Sequence, residues 1–200
     1  MKVLNIVEVL ALREGIPAPI MGWYLSRSRD GKHDAQLSLG APNPDKVNPA
    51  TLTPRIPNLD SGYWAVPVNG AKINGVPIPG IPVRVGNFAT AVPQILMSPE
   101  DANRINQQLG ATLDSSTQKF YIPCDTNLQL SLTIGGRDWV IDPRDLVFLQ
   151  DVHPSGLCLS NIQAGPSNLF GTWLLGTTFM KNAYVIMDYA ANTVQLAQLR

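Results

Sequence analysis

Short runs of apolar residues, many with a period of two, recur along most of the chain, while helical periodicity shows at only two places. Ala35-Gln36-Leu37-Ser38-Leu39 alternates polar and apolar. Met21 to Ser26, Tyr63 to Val68, Phe120 to Pro123, Leu128 to Ile134, Trp139 to Ile141, Trp173 to Leu175, Tyr184 to Met187 and Thr193 to Leu196 also read as strands. Asn69-Gly70 and Asn74-Gly75 separate apolar runs between 63 and 78. Asn-Gly tolerates positive φ at both residues, so two in succession predict a meander. Gly135-Gly136 marks a further hairpin, with no helix after it to make a phosphate cradle. The clearest helix is Ser98 to Leu109, with Ser98 as cap, Pro99 at the first position, Glu100 and Asp101 at the positive end of the dipole, and Gly110 beyond it. Ala102, Ile105 and Leu109 form its buried stripe.

The other helix is at Val3 to Leu12. Glu8 interrupts that apolar run, and Arg13-Glu14-Gly15 is no small-residue cleavage site, so it reads as a short amphipathic helix stopped by Gly15, Pro17 and Pro19 rather than as a leader. Arg27 to Asp34 is a charged turn, residues 41–58 are a Pro- and Asn-rich loop or edge, and Asp142-Pro143 opens one helical turn. No internal repeat or linker divides the chain, so residues 1–200 are expected to form one all-β domain with a few short helices, including the 98–110 segment.

Composition narrows the function classes. Fifteen Lys and Arg balance fifteen Asp and Glu, with no basic block, which argues against nucleic-acid binding. No apolar run approaches the roughly 18 residues that span a bilayer. Seventeen prolines and sixteen glycines suit many short strands joined by tight turns.

The most specific text lies near the C-terminus. Trp173-Leu174-Leu175-Gly176-Thr177-Thr178-Phe179-Met180, then Tyr184 to Asp188 and Val194-Gln195-Leu196-Ala197, resembles the closing segment of pepsin-type aspartic proteases, with Gln195 where that family usually has Gly. Gly62-Tyr63-Trp64, Ile73-Asn74-Gly75, the Ser98 to Gly110 helix and Gly15 to Leu25 resemble other family segments in order. Ile141-Asp142-Pro143 is similar to fungal secreted members in particular. The resemblance spans nearly the whole chain. It implies a single pepsin-like C-terminal lobe on a base sheet of the six-stranded type, passage through the secretory pathway, and no cofactor. A lone lobe of this kind would expose an apolar face. That implies a partner, either an N-terminal aspartic-protease lobe or a second copy.

The resemblance also implies a disulfide between Cys124 and Cys158, the only cysteines. Read without it, they remain two buried free thiols, or ligands with His153 of a zinc site that lacks a fourth member.

Pepsin-type catalysis needs one carboxylate from each lobe, the pair sharing a proton and activating a water. Each Asp sits in a hydrophobic-hydrophobic-Asp-Thr/Ser-Gly-Thr/Ser turn. Counting back from Pro99 puts Thr90 at the Asp position, Ala91 after it, Val92 at the Gly and Pro93 at the following hydroxyl position. No Asp or Glu occurs from Ser61 to Pro99, and a threonine has no accessible pKa for acid–base work. The catalytic turn is therefore expected to be replaced, leaving Asn87, Phe88, Thr90, Gln94, Gly176 and Thr177 to line a cleft for a peptide or small molecule. Leu59-Asp60-Ser61-Gly62 contains Asp-Ser-Gly, but it precedes the meander and continues into Tyr63-Trp64, so it reads as a capped turn. His33 and His153 are isolated loop histidines, and no G-x-S-x-G elbow exists. Trp23, Trp64, Trp139 and Trp173 read as core or half-buried sheet residues. Three functions follow: a pseudoprotease lobe acting by binding, an enzyme of changed chemistry on a small molecule, or half of a working protease.

Overall fold

The computed structural model describes residues 4–59, 62–166 and 171–200. Helix α1 (Ile6–Leu12) starts where Asn5 Oδ1 accepts from the N–H groups of Val7 and Glu8, while Glu8 accepts from the Asn5 N–H. This reciprocal box satisfies first-turn donors. There follow β1 (Ile20–Tyr24), β2 (Gln36–Leu39), β3 (Ile56–Pro57), β4 (Ala65–Val68), β5 (Ala71–Ile73), β6 (Val76–Pro77), β7 (Arg84–Phe88) and β8 (Ile95–Met97). Helix α2 (Pro99–Gln108) leads to β9 (Thr112–Asp114), β10 (Lys119–Ile122), β11 (Leu130–Ile134) and β12 (Arg137–Ile141). After them come β13 (Val147–Val152), β14 (Cys158–Ser160), β15 (Ile162–Ala164), β16 (Thr172–Leu175), the one-turn α3 (Thr177–Met180), β17 (Tyr184–Asp188) and β18 (Thr193–Ala197). The chain is all-β in class, as its short runs predict.

Two compact units emerge: Met1–Val66 with Ala183–Arg200, and Pro67–Asn182. The first is built on an antiparallel sheet ordered β2-β1-β17-β18-β3. Its register lines up Leu37, Trp23, Val185 and Leu196 in one row, and Leu39, Met21, Met187, Val194 and Ile56 in the next row of the same face. The opposite face carries Tyr184, Ile186 and Ala197 against Val47. Gly22 is glycine for a steric reason, since a Cβ there would run into the Tyr184 ring. The Tyr184 hydroxyl donates to Ser38 Oγ (3.1 Å) and accepts from the Asn43 N–H (2.9 Å). This sheet has five described strands where the resemblance implies a base of the six-stranded type.

The second unit holds three sheets, ordered β13-β14-β10-β9, β12-β11-β5-β6 and β15-β8-β16-β7-β4. The predicted meander is half right. Asn74-Gly75 turns the β5–β6 hairpin, with both residues at positive φ. Asn69-Gly70 does not turn a hairpin: the Asn69 N–H donates to the Thr133 carbonyl (2.8 Å) and the Thr133 N–H to the Gly70 carbonyl (2.9 Å). Long-range pairing with β11 wins over the local turn, and the chain passes from one sheet into another. Cys124 and Cys158 are joined in a disulfide that ties the segment after β10 to β14.

Helix α2 forms as its caps predict, with Ala102, Ile105 and Leu109 buried. The sequence reading missed the role of Asp101, whose side chain is wholly buried. Arg84 Nε and Nη2 donate to it at 2.8 and 3.0 Å, and Trp173 Nε1 donates at 2.9 Å. Burial pushes the Asp101 carboxyl up, but Arg84, the indole N–H and Ser98 outweigh it and hold the group below the ordinary carboxylate range. The helix is thereby tied to β7 and β16, the strands that carry the candidate site.

Candidate functional site

Strand β16 lies between β7 and β8, parallel to the first and antiparallel to the second. Because β7 and β8 are consecutive in the chain, the connection 89–94 must cross the end of β16. The Ala89 N–H donates to the Leu175 carbonyl (3.1 Å), and the Val92 N–H closes a turn onto the Ala89 carbonyl (3.2 Å). Gly176 sits directly beneath, where a Cβ would overlap the carbonyl oxygens of Val92 and Gln94. The start of α3 holds the crossing from below. The Thr177 N–H donates to Val92 O (2.8 Å) and the Thr178 N–H to Pro93 O (2.9 Å). The Thr178 and Thr177 hydroxyls also donate to Pro93 O, at 2.8 and 3.3 Å.

The expected site residues divide by environment. Thr90 and Ala91 are exposed at the corner, and Val92 is half-buried. No residue from 89 to 94 has positive φ, so a branched residue at 92 and a proline at 93 are accommodated without strain. Asn87 and Phe88 point into packed protein rather than lining an open cleft: the Phe88 ring lies 6.1 Å from that of Phe179, and Asn87 Oδ1 is buried without a hydrogen-bond partner. Of the predicted set, Gln94 lines a cavity. That cavity measures 540 Å³, with Leu96, Leu113, Phe120 and Leu159 as apolar walls and Asn103 and Gln163 among its polar groups. Gln163 is held rigid, its amide accepting from the Phe120 N–H (3.1 Å) and donating to the Phe120 carbonyl (2.9 Å) as a strand would.

A family description for eukaryotic aspartyl proteases matches residues 2–199. The chain belongs to the eukaryotic aspartyl protease family. It is 31% identical over 202 residues to a probable aspartic-type endopeptidase CTSD of Arthroderma otae, covering 98% of this chain and 51% of that protein. Identity is 26% over 196 residues to the aspartic-type endopeptidase ctsD of Aspergillus fumigatus, covering 96% and 40%. For rhizopuspepsin-1 of Rhizopus niveus it is 28% over 185 residues, covering 91% and 44%. The chain thus spans about half the length, or less, of these curated relatives.

Elsewhere in this aspartyl protease chain the chemistry is local. Asp60 and Ser61 of the Asp-Ser-Gly segment lie outside the described residues. His33 is exposed. His153 packs 4.8 Å from the Tyr121 ring, and its Nδ1 accepts from the Ser155 N–H (3.1 Å). Nearby Asp114 accepts from the Thr117 hydroxyl and from the Ser116 hydroxyl and N–H, which lower its pKa to about 2. Among the described residues no group of three His, Cys, Asp or Glu is placed to hold a metal. Nor is any described helix long and apolar enough to cross a membrane.

Proposed function

We propose that this chain is a catalytically degenerate aspartic-protease lobe, acting through binding of a peptide or small molecule and completed by a second lobe. That second lobe is an N-terminal aspartic-protease lobe or another copy of the chain. One observation carries the reading. Thr90 stands at the exposed corner of the turn crossing Gly176, and no Asp or Glu occurs from Ser61 to Pro99. The scaffold that would present a carboxylate is kept, and a hydroxyl that cannot exchange protons near neutral or acid pH stands in its place. Beside it, the apolar-walled cavity reached by Gln94 suits one side chain of an extended ligand, with Gln94 and Asn103 to orient the backbone. The Cys124–Cys158 bond supports passage through an oxidising compartment.

The test joins two assays: peptide cleavage at acid pH with and without a statine-type transition-state mimic, and calorimetric binding of peptides bearing one apolar anchor. No cleavage and no statine binding are expected. Anchored peptides should bind and lose at least about tenfold in affinity in Leu113→Asp, a change of roughly 1.4 kcal/mol. Cleavage blocked by the statine would refute degeneracy. It would favour the second reading, half of an active endopeptidase, which the relatives' names as endopeptidases and the half-length coverage support. Loss of that cleavage in Asp60→Asn would then assign the carboxylate.

A further inference from the structure

The open edge of the first unit's sheet is built to pair with itself. In the β1–β2 ladder the Gly40 N–H donates to the Ile20 carbonyl (2.9 Å), which marks Ile20 and Gly40 as a hydrogen-bonded pair. Antiparallel pairs alternate between bonded and non-bonded, so Gly22–Ser38 and Tyr24–Gln36 are also bonded pairs. It follows that Leu37 and Leu39 turn their N–H and C=O groups away from β1, toward the free edge. Among the described residues no strand lies on that side.

The side chains tell the same story. Leu37 and Leu39 stand 46% and 40% exposed, yet they continue the rows of Trp23, Val185 and Leu196 and of Met21, Met187 and Val194. An apolar face that is buried over β17 and β18 runs uncovered onto the edge strand. Sheet edges are commonly protected by Lys, Pro or a bulge. Gln36-Leu37-Ser38-Leu39 has no charge and no proline, and its pairing with β1 is unbroken.

We propose that two copies of this chain associate through β2, antiparallel and edge to edge, about a two-fold axis at Ser38. In that register Leu37 faces Leu39 of the partner subunit and Leu39 faces Leu37 of the partner subunit. Both are hydrogen-bonded pairs, so the outward groups of the two leucines are all satisfied by four backbone bonds. The leucines of both copies fall on one face and join the apolar rows into one surface. A strand without charge meets no like-charge repulsion at a symmetry axis. The contact is isologous and closes as a dimer. It rests on the reading above only in treating the lobe as one completed by a second; ligand binding does not enter it.

Sedimentation velocity from about 1 to 100 µM tests it, since so short a strand gives a contact of micromolar strength. The mean mass should rise from one copy of the 21.7 kDa chain toward two. Ser38→Cys provides the only free thiol, because Cys124 and Cys158 are bonded to each other. It should cross-link to its own copy on mild oxidation, whereas Leu37→Cys, which faces Leu39 of the partner subunit, should not. Leu37→Pro removes an outward donor without touching the ladder to β1, and Leu39→Lys adds a like charge on each side of the axis. Each should weaken the dimer at least about tenfold, with the near-UV dichroism and peptide affinity of the parent protein retained. The mass of one copy at every concentration, or a dimer indifferent to both variants with no Ser38→Cys cross-link, would overturn the proposal while leaving peptide binding to be judged separately. A monomer that instead captures the first half of the Arthroderma otae relative would overturn it too, and give the edge to that half.

Discussion

Gly176 shows how much of the site depends on an atom that is not there. Its missing Cβ lets the Val92 and Gln94 carbonyls pass over the end of β16. Gly176→Ala would force backbone against backbone, so it should cost about 3 kcal/mol or more in urea unfolding, at the severe end of single substitutions. A loss below about 1 kcal/mol would mean that the crossing relaxes easily. Asp101 is the other sensitive residue, because Asp101→Ala leaves Arg84 and the Trp173 indole without their shared acceptor. Breaking a buried pair in this way typically costs about 3–5 kcal/mol, and tryptophan-monitored denaturation should show it. The position of Thr90 was legible from its spacing to Pro99. The cavity walls were not, because Leu96, Leu113, Phe120 and Leu159 come from four strands that nothing local in the sequence brings together. Asp101 was read only as a favourable first-turn charge, since its partners lie 17 residues before it and 72 after.

Among the elements, those with strong local signals were readable. Helix α2 carries its own cap and stop, the β5–β6 and β11–β12 hairpins carry theirs, and β17–β18 carries a family motif. Strands β7 to β9 and β13 to β15 went unread. Their residues, such as Gly86, Asn87, Ser160 and Gln163, take their place from neighbours distant in sequence rather than from alternation. The Asn69-Gly70 error has the same origin. The disulfide is the element-scale brace with a size that can be anticipated. Closing a separation of 34 residues is worth about 3–4 kcal/mol on the loop-entropy view. Reduction, or a paired Cys124→Ala and Cys158→Ala change, should lower the unfolding midpoint accordingly, and an unchanged midpoint would argue that strain or residual structure cancels the gain.

At the scale of the whole molecule, acid should be the weak condition. Asp101, Asp114 and Asp138 all have carboxyls held below their ordinary value, Asp138 by Lys72 and the Thr133 hydroxyl. A depressed carboxyl binds its proton less readily folded than unfolded, so its contribution is complete above about pH 4 and is lost as pH falls through the folded pKa. For Asp114 that loss centres at about 2. Urea midpoints measured from pH 7 downward should hold nearly level to about pH 5 and fall below about pH 4. Midpoints that rise on acidification would contradict these interactions. The threading of β16 also bears on time. Thr172 to Leu175 must enter between two strands that were made some eighty residues earlier, and loop closure over such a span slows folding. The turn at Thr90 therefore has nothing to rest on until the far end of the unit arrives, and a chain still emerging from the ribosome would carry nearly all of the second unit before it carried the site.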